Sequence, residues 1–187
     1  YGNYYAWGET KTKESDSYTK EKYKYYEGTY TYEGNTYDKY TKLDDISGNA
    51  DYDVATATWG KGWRMPTYDE WDELFDNCTM YPVKTEGQVN GYMCVSKKNG
   101  NHIFLPAAGY KDGHTYLDDV TKEPYTRDFW LRGTHGYYWS STPTDYDSGA
   151  QGFYFDKFYT SGGEVVHYTT ERWYGFTVRA VRDVQNN

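Results

Sequence analysis

The stretch WRMPTYDEWDELFDNC, from Trp63 to Cys78, carries the clearest helix signal in the chain. Thr67 and Glu70 have the spacing of a capping box, in which a hydroxyl and a carboxylate each accept a hydrogen bond from a free backbone N–H at the helix start. The apolar side chains that follow recur at helical spacing, at Trp71, Leu74, Phe75 and Cys78. We therefore expect an amphipathic helix of about three turns, with Pro82 marking its exit.

Most of the remaining chain shows period-two alternation broken by glycine, which is typical of strands and turns. A second, short helix is expected within residues 51–59, ending at Gly60. Lys98-Asn99-Gly100 predicts a hairpin turn, and residues 109–136 predict a long loop. The expected strands cover residues 91–96, 102–105, 137–140, 152–155, 165–168 and 176–181. The fold class is α+β: a loop-rich single domain over residues 1–187, with a twisted antiparallel sheet and one or two helices.

Residues 18–40 contain eight tyrosines in 23 positions, alternating with polar residues around Gly28 and Gly34-Asn35. This pattern predicts an exposed hairpin or an ordered loop excursion. Two roles remain open for it. The hairpin could be a binding arm, or an insertion that packs its own rings against the domain.

Aliphatic side chains are scarce, and 25 Tyr and seven Trp take their place. Aromatic rings bury large areas while a tyrosine hydroxyl stays available to polar partners, so we expect an aromatic core with many hydroxyl tips reaching water.

A net charge of −8 argues against nucleic acid as a partner. No apolar stretch is long enough to insert into a membrane. The abrupt opening, YGNYYAWGE, suggests a segment of a longer precursor.

The two cysteines, Cys78 and Cys94, are interpreted as buried thiols, with a disulfide left open. Two cysteines do not supply the closely spaced Cys and His ligands that a metal site requires. No cofactor is expected on this ground.

Five ordered motifs carry a family resemblance: YYAWGET, WGKGWRMPT, NGNHIFLPAAGY, GYYWSST and YGFTVRAVR. The helix start at Trp63 to Leu74 resembles that of the formylglycine-generating-enzyme type of C-type lectin-like fold. The wider pattern is similar to the Fibrobacter-type major paralogous surface domains of Bacteroides and relatives, and it covers Tyr4 to Arg182, nearly the whole chain.

This resemblance implies a C-type lectin-like fold on a secreted or surface-anchored bacterial protein. It also implies that residues 136–182 face the ligand. In a subset of this lineage the same segment is the variable region on which a diversity-generating retroelement acts. Residues 144–151 become a displayed loop, while Trp139 and Phe155 point into the core. The candidate ligand-binding residues are Asp145, Tyr146, Asp147, Tyr154, Tyr159, His167, Tyr168, Thr170, Trp173 and Tyr174.

The sequence lacks the residues that would carry out the chemistry of the enzymes it resembles. The formylglycine-generating enzymes of this fold use a pair of cysteines late in the chain, but no cysteine follows Cys94. Ser140 or Ser141 could be combined with His135 and Asp145, although no nucleophile-elbow pattern supports this.

For calcium, Glu-Pro-Tyr at residues 123–125 departs from the Glu-Pro-Asn motif of calcium lectins, and a structural calcium is left open.

Tyr, Ser, Gly, Asp and Trp on a rigid scaffold are typical of paratopes. The sequence therefore favours an adhesin-like module at a pilus tip or other cell surface. Its partner would be a protein or glycan on another cell or on a host. One alternative is a structural or assembly module that contacts pilin or other surface-protein subunits, and another is a divergent enzyme of the formylglycine-generating type.

Overall fold

The computed structural model describes residues 1–85, 87–156 and 165–183. The elements in chain order are β1 (Tyr26–Tyr32), β2 (Asn35–Tyr40), α1 (Val54–Trp59), β3 (Trp63–Arg64), α2 (Tyr68–Asn77), β4 (Cys78–Lys84), β5 (Asn90–Ser96), β6 (His102–Pro106), β7 (Thr115–Leu117), β8 (Pro124–Thr126), β9 (His135–Pro143), β10 (Gly149–Asp156), β11 (Val165–Glu171) and β12 (Val181–Arg182).

The α+β class with antiparallel strands is confirmed, but within the described ranges the strands form five small sheets rather than one. Two sheets have three strands, in the orders β4-β5-β6 and β11-β10-β9. The other three are the pairs β1-β2, β7-β8 and β12-β3. Isolated bridges pair the C-terminal segment with the N-terminal segment, at Phe176 and Tyr5, and with β9, at Thr177 and Tyr138.

Both predicted helices are confirmed. In α2, the Thr67 hydroxyl accepts from the Glu70 N–H at 3.3 Å and the Glu70 carboxylate accepts from the Thr67 N–H at 2.9 Å, so the capping box is complete. In α1, buried Asp53 is the N-cap, and its carboxylate accepts from the N–H groups of Ala55 and Thr56. Both helices begin where side-chain acceptors satisfy their free N–H groups.

The predicted exit of α2 is wrong. The helix ends at Asn77, and Cys78 begins β4 directly, so Pro82 lies inside a strand. The chain tolerates proline there because β4 pairs only with β5, which makes β4 an edge strand. Residues 109–136 are also not all loop: they contain the β7-β8 hairpin, whose three-residue strands are too short to show a period.

The predicted strand over residues 176–181 is divided. Phe176 and Thr177 make isolated bridges to different partners, and only Val181–Arg182 forms a strand, β12. Phe176 and Thr177 lie between the N-terminal segment and β9, which supply those partners. The predicted strands in residues 137–140, 152–155 and 165–168 lie within β9, β10 and β11.

The tyrosine-rich hairpin is confirmed as β1-β2. Its turn is Glu33-Gly34, both with positive φ (50° and 80°), which is the signature of a two-residue hairpin turn. Gly28 lies at an irregularity in the pairing rather than at a turn. The tip tyrosines Tyr30 and Tyr32 are 50% and 60% exposed, while the tyrosines at the base enter the core.

The core is aromatic, as predicted, and Trp139 and Phe155 are buried in it. Of the eight tyrosines buried in the described part of the chain, however, six donate their hydroxyl to a backbone carbonyl. Tyr18 donates to the Tyr4 carbonyl at 2.6 Å and Tyr23 to the Trp7 carbonyl at 2.8 Å. Tyr25 donates to the Gly8 carbonyl at 3.0 Å. These bonds tie the base of the hairpin to the N-terminal segment.

Both cysteines are free thiols. Cys94 is buried, and burial raises the pKa of its thiol to about 12, whereas Cys78 is half-buried.

Neither helix in the described part of the chain is long and apolar enough to cross a membrane.

Candidate ligand-binding cleft

A cleft of about 920 Å³ opens between the β1-β2 hairpin and the turns that follow β9 and β11. Its aromatic lining residues are Tyr30, Tyr37, Tyr40, Tyr146 and Trp173. Its charged lining residues are Glu21, Asp38, Asp112, Asp147, Glu171, Lys20 and Lys39, with His114 beside them. The cleft therefore joins two parts of the chain that are more than a hundred residues apart in sequence.

The hairpin forms one wall of the cleft. Tyr30 and Tyr37 are direct cross-strand partners, and their rings stack with centroids 5.5 Å apart. Cross-strand aromatic pairs of this kind stabilise a hairpin. Beside them, the Lys20 ammonium donates to the Asp38 carboxylate at 2.9 Å. This wall combines exposed aromatic surface with an internally paired charge.

The loop between β9 and β10 forms the opposite rim. The Thr144 hydroxyl donates to the Tyr146 carbonyl at 2.8 Å, and the Gly149 N–H donates to the same carbonyl at 3.1 Å. With its polar backbone groups bonded internally, the loop projects the Tyr146 side chain, which is 71% exposed. Asp147 is exposed next to it.

Trp173 and Glu171 line the cleft where β11 ends. The Trp173 ring stacks on Tyr174 with centroids 4.2 Å apart and lies 5.8 Å from the His114 ring. The Glu171 Oε2 atom is buried without a hydrogen-bond partner in the described residues. Desolvation raises the pKa of this carboxyl, and a hydrogen bond from Ser148 opposes that rise.

Arg172 holds the surrounding segments in place. It is buried, its Nε donates to the Gly149 carbonyl at 2.9 Å, and its Nη1 donates to the Thr41 carbonyl at 3.3 Å. Its guanidinium lies 4.6 Å from the centre of the Trp7 ring. One side chain thus links the first residue of β10, the residue that follows β2 and the N-terminal segment.

The cleft is acidic, because five carboxylates and two lysines line it. Lys20 pairs with Asp38 inside the cleft, and Lys39 pairs at 2.7 Å with Glu27, which is not a lining residue. Buried Asp112 accepts from the His114 N–H at 3.1 Å and from the Tyr116 hydroxyl at 2.9 Å. The remaining carboxylates have no salt bridge among the described residues.

Three of the ten predicted residues line this cleft: Tyr146, Asp147 and Trp173. Asp145 is exposed in the same loop without lining the cleft, and Thr170 is half-buried on β11 opposite Ala150. Tyr159 falls outside the described residues.

Three other predicted tyrosines gather around a separate small hollow. Tyr168 and Tyr174 line a space of about 50 Å³ together with Tyr110, Tyr137 and Phe176. Tyr154 packs edge-on against Tyr168 with centroids 5.6 Å apart. These rings pack against the main core cluster, so they support the sheet as well as border the hollow.

His167 points away from both places. Successive side chains of a strand point to opposite faces, and the neighbour of Tyr168 therefore turns toward α2. Its Nε2 lies 3.1 Å from the Asp72 carboxylate, and its ring lies 4.7 Å from that of Tyr68. The predicted set is thus divided between two faces of the β9-β10-β11 sheet.

The Ser-His-Asp combination considered from the sequence is not assembled. Ser140 and Ser141 are both buried, and the Ser140 hydroxyl donates to the Gln151 carbonyl at 2.7 Å. His135 instead contacts Asp156 at 3.4 Å and the Thr134 hydroxyl at 2.9 Å. Across the described ranges, no group of three or more His, Cys, Asp or Glu side chains is placed to hold a metal ion.

Sequence reasoning missed the contribution of Tyr30, Tyr37, Glu171 and Arg172 to this cleft. The tyrosine pattern did indicate a hairpin, but nothing local showed which part of the domain the hairpin would face. Glu171 is the last residue of β11, and Arg172 lies in the turn that follows, next to Trp173, where the sequence shows no periodicity. Comparison of the chain with protein-family models, with curated proteins and with solved structures finds no match.

Proposed function

We propose that this chain is a non-enzymatic, adhesin-like binding module, displayed on a bacterial surface or secreted, that holds a protein or glycan partner in the cleft. The observation that carries the proposal is the convergence of partly exposed rings from two distant segments, Tyr30 and Tyr37 on one side and Tyr146 and Trp173 on the other. Tyrosine and tryptophan offer large contact areas at low entropic cost.

The proposal includes a C-type lectin-like fold. The five ordered motifs support it, and the segments that carry them lie side by side. The N-terminal motif bonds to the C-terminal one through Tyr5 and Phe176, whose N–H and carbonyl groups exchange hydrogen bonds of 2.9 and 3.1 Å. The C-terminal motif also bonds to β9, where the Trp139 N–H donates to the Thr177 carbonyl at 3.1 Å.

The absence of catalysis is proposed from the sequence. Formylglycine-generating enzymes, which the chain resembles, use a late pair of cysteines, and this chain has none after Cys94. An aromatic, carboxylate-lined cleft is suited to recognition by contact and hydrogen bonding.

A binding screen tests the function. The wild-type domain is exposed to glycan and surface-protein arrays, in parallel with the double variant Tyr146→Ala/Trp173→Ala. The variant Tyr81→Ala is the matched control, because Tyr81 is 51% exposed and lies outside the cleft. We expect a partner that binds wild type and control alike and binds the double variant at least about tenfold more weakly.

The proposal fails if every partner recovered binds all three proteins equally. If those partners are subunits of the same surface assembly and bind independently of the cleft, the assembly role replaces the adhesin role. Circular dichroism of each variant shows whether the fold is retained.

The proposal also includes diversification by a retroelement. The exposed loop Asp145-Tyr146-Asp147-Ser148 has the residue types that adenine-directed mutagenesis produces, and it borders the cleft. Genomic context tests this part: a reverse transcriptase gene and a near-copy of the 3′ coding end, mismatched only at adenines, are expected beside the gene. A neighbourhood without them contradicts diversification and leaves the binding role intact.

A further inference from the structure

The cleft carries more negative than positive charge, and both of its lysines are already in ion pairs. Lys20 and Lys39 are both engaged in ion pairs, at 2.9 and 2.7 Å. Glu21, Asp147 and Glu171 have no ion pair among the described residues, although all three line the cleft. The free cleft therefore presents carboxylates that a positively charged group can neutralise.

Glu171 is the most informative of the three. Its Oε2 atom is removed from solvent and accepts no hydrogen bond from any residue that the structure describes. A buried carboxylate oxygen without a donor costs folding free energy. Because Glu171 lines the cleft, a rotation of its side chain toward the cleft lets this oxygen accept an N–H group from a ligand.

The neighbouring cation cannot do this, because the Arg172 guanidinium is turned away. It donates to the carbonyls of Gly149 and Thr41 and lies over the Trp7 ring, in the buried core. The protein thus keeps an arginine adjacent in sequence to Glu171 without neutralising it by a direct ion pair.

Aromatic rings accompany the carboxylates. Tyr146 is 71% exposed at the rim and Tyr30 is 50% exposed on the hairpin wall, and Trp173 lines the same space. Ammonium and guanidinium groups bind over such ring faces, and guanidinium also donates to carboxylates in a planar fork. Rings and carboxylates together suit a cationic side chain with an apolar stem.

Resting on the proposed function, we infer that the cleft receives a basic segment of a protein partner, with a lysine or arginine side chain entering between the aromatic rings to reach Glu171 and Asp147. Anionic glycans are repelled by this lining. A neutral glycan leaves its carboxylates without a counter-charge, and so is disfavoured relative to a basic peptide.

Hexa-arginine labelled with a fluorophore is the probe, and binding is followed by fluorescence anisotropy. Hexa-citrulline, a neutral isostere, is the matched control ligand. The test variant is Glu171→Gln/Asp147→Asn. The control variant, Asp51→Asn/Asp119→Asn, removes the same charge from two exposed aspartates outside the cleft.

We expect hexa-arginine to bind and hexa-citrulline not to bind. The cleft variant should weaken hexa-arginine binding about tenfold or more, and the control variant by less than about twofold. Equal weakening in the two variants overturns the inference, because it shows diffuse attraction to an acidic protein. Thermal unfolding of both variants confirms that each is folded.

The failure of this inference is distinguishable from failure of the proposed function. If a glycan from the screen loses binding in Tyr146→Ala/Trp173→Ala but is unaffected by Glu171→Gln/Asp147→Asn, the cleft is a binding site and the basic ligand is wrong. If no ligand responds to either double variant, the proposed function fails as well.

Discussion

At the scale of single residues, the Glu171 carboxylate lowers the stability of the free protein, and it is the group that we infer to bind a cationic ligand. Its pKa is raised mainly by desolvation, and Asp38 adds to that rise. Ser148, Lys20 and Arg172 act in the opposite direction without cancelling it. A carboxyl whose pKa is higher in the folded than in the unfolded protein favours folding when protonated, and this contribution is lost as pH rises through the folded-state pKa.

Glu171→Gln is therefore expected to stabilise the free protein at pH 7 while weakening a cationic ligand. Because the side chain is partly exposed to solvent, the gain in the free energy of unfolding should be about 0.5–1 kcal/mol. Urea unfolding of wild type and variant between pH 4 and pH 7 measures it, from near the ordinary glutamate pKa of about 4.3 upward. The difference should grow with pH.

A variant that is less stable than wild type at pH 7 contradicts this account. It would mean that the carboxylate is a structural acceptor whose ionised form the fold requires. Asp119→Asn, on an exposed aspartate, is the control for a general effect of net charge.

At the scale of elements, the β1-β2 hairpin has a base and a tip with different roles. The rings of Tyr23, Tyr25 and Tyr40 are buried at the base, and the hydroxyls of the first two bond to the N-terminal segment. The stacked pair Tyr30 and Tyr37 is partly exposed and lines the cleft. Of the two alternatives left open by the sequence, packing of the hairpin's own rings against the domain describes the base, and the tip is the part to which we assign the proposed binding role.

Tyr30→Thr/Tyr37→Thr is expected to weaken ligand binding about tenfold and to lower the melting temperature by only a few degrees, because a cross-strand aromatic pair contributes about 0.2–1 kcal/mol. Threonine keeps the strand propensity but removes the rings that offer contact area. Tyr32→Thr is the matched control, because Tyr32 is exposed on the same strand and does not line the cleft. Titration of the partner found in the screen, or of hexa-arginine, measures the effect.

Equal binding by Tyr30→Thr/Tyr37→Thr and Tyr32→Thr would remove the hairpin from the site. A large loss of melting temperature in the double variant would instead show that the pair stabilises the fold.

The elements that sequence reasoning predicted are those with complete local signals. The capping box defines the start of α2 by itself, and the Asn99-Gly100 and Gly34 turns define hairpins. Strand β4 was missed because Pro82 is unfavourable in a strand unless the strand is at an edge, and edge position is a long-range property. The β7-β8 hairpin was missed because its strands have three residues each.

The candidate site follows the same division. Tyr146, Asp147 and Trp173 were predicted from residue type in the C-terminal third, and they line the cleft. The wall opposite them depends on where tyrosine hydroxyls from residues 18–25 find carbonyls in the N-terminal segment. No periodicity in the sequence indicates these hydrogen bonds, and none indicates that Arg172 is buried.

At the scale of the whole molecule, an acidic cleft is carried on an acidic protein, with a net charge of −8. The summed charge would speed association with the basic partner that we infer, and salt would screen this attraction. The cleft carboxylates then provide specificity at short range. The aromatic core beneath fixes the position of the hairpin relative to the loop between β9 and β10. Arg172 adds to this by donating to the Thr41 carbonyl beside the hairpin and to the Gly149 carbonyl beside the loop.

The most direct measurement of the central claim is chemical-shift mapping of the ¹⁵N-labelled domain during titration with its partner, or with hexa-arginine. We expect perturbed amides in two separate segments at once, around Tyr30–Tyr37 on the hairpin and around Tyr146–Ser148 and Glu171–Trp173 on the other side. Perturbations confined to the C-terminal segment, or centred on the hollow between β4, β5 and Phe155, would contradict a cleft shared by the hairpin and the C-terminal region.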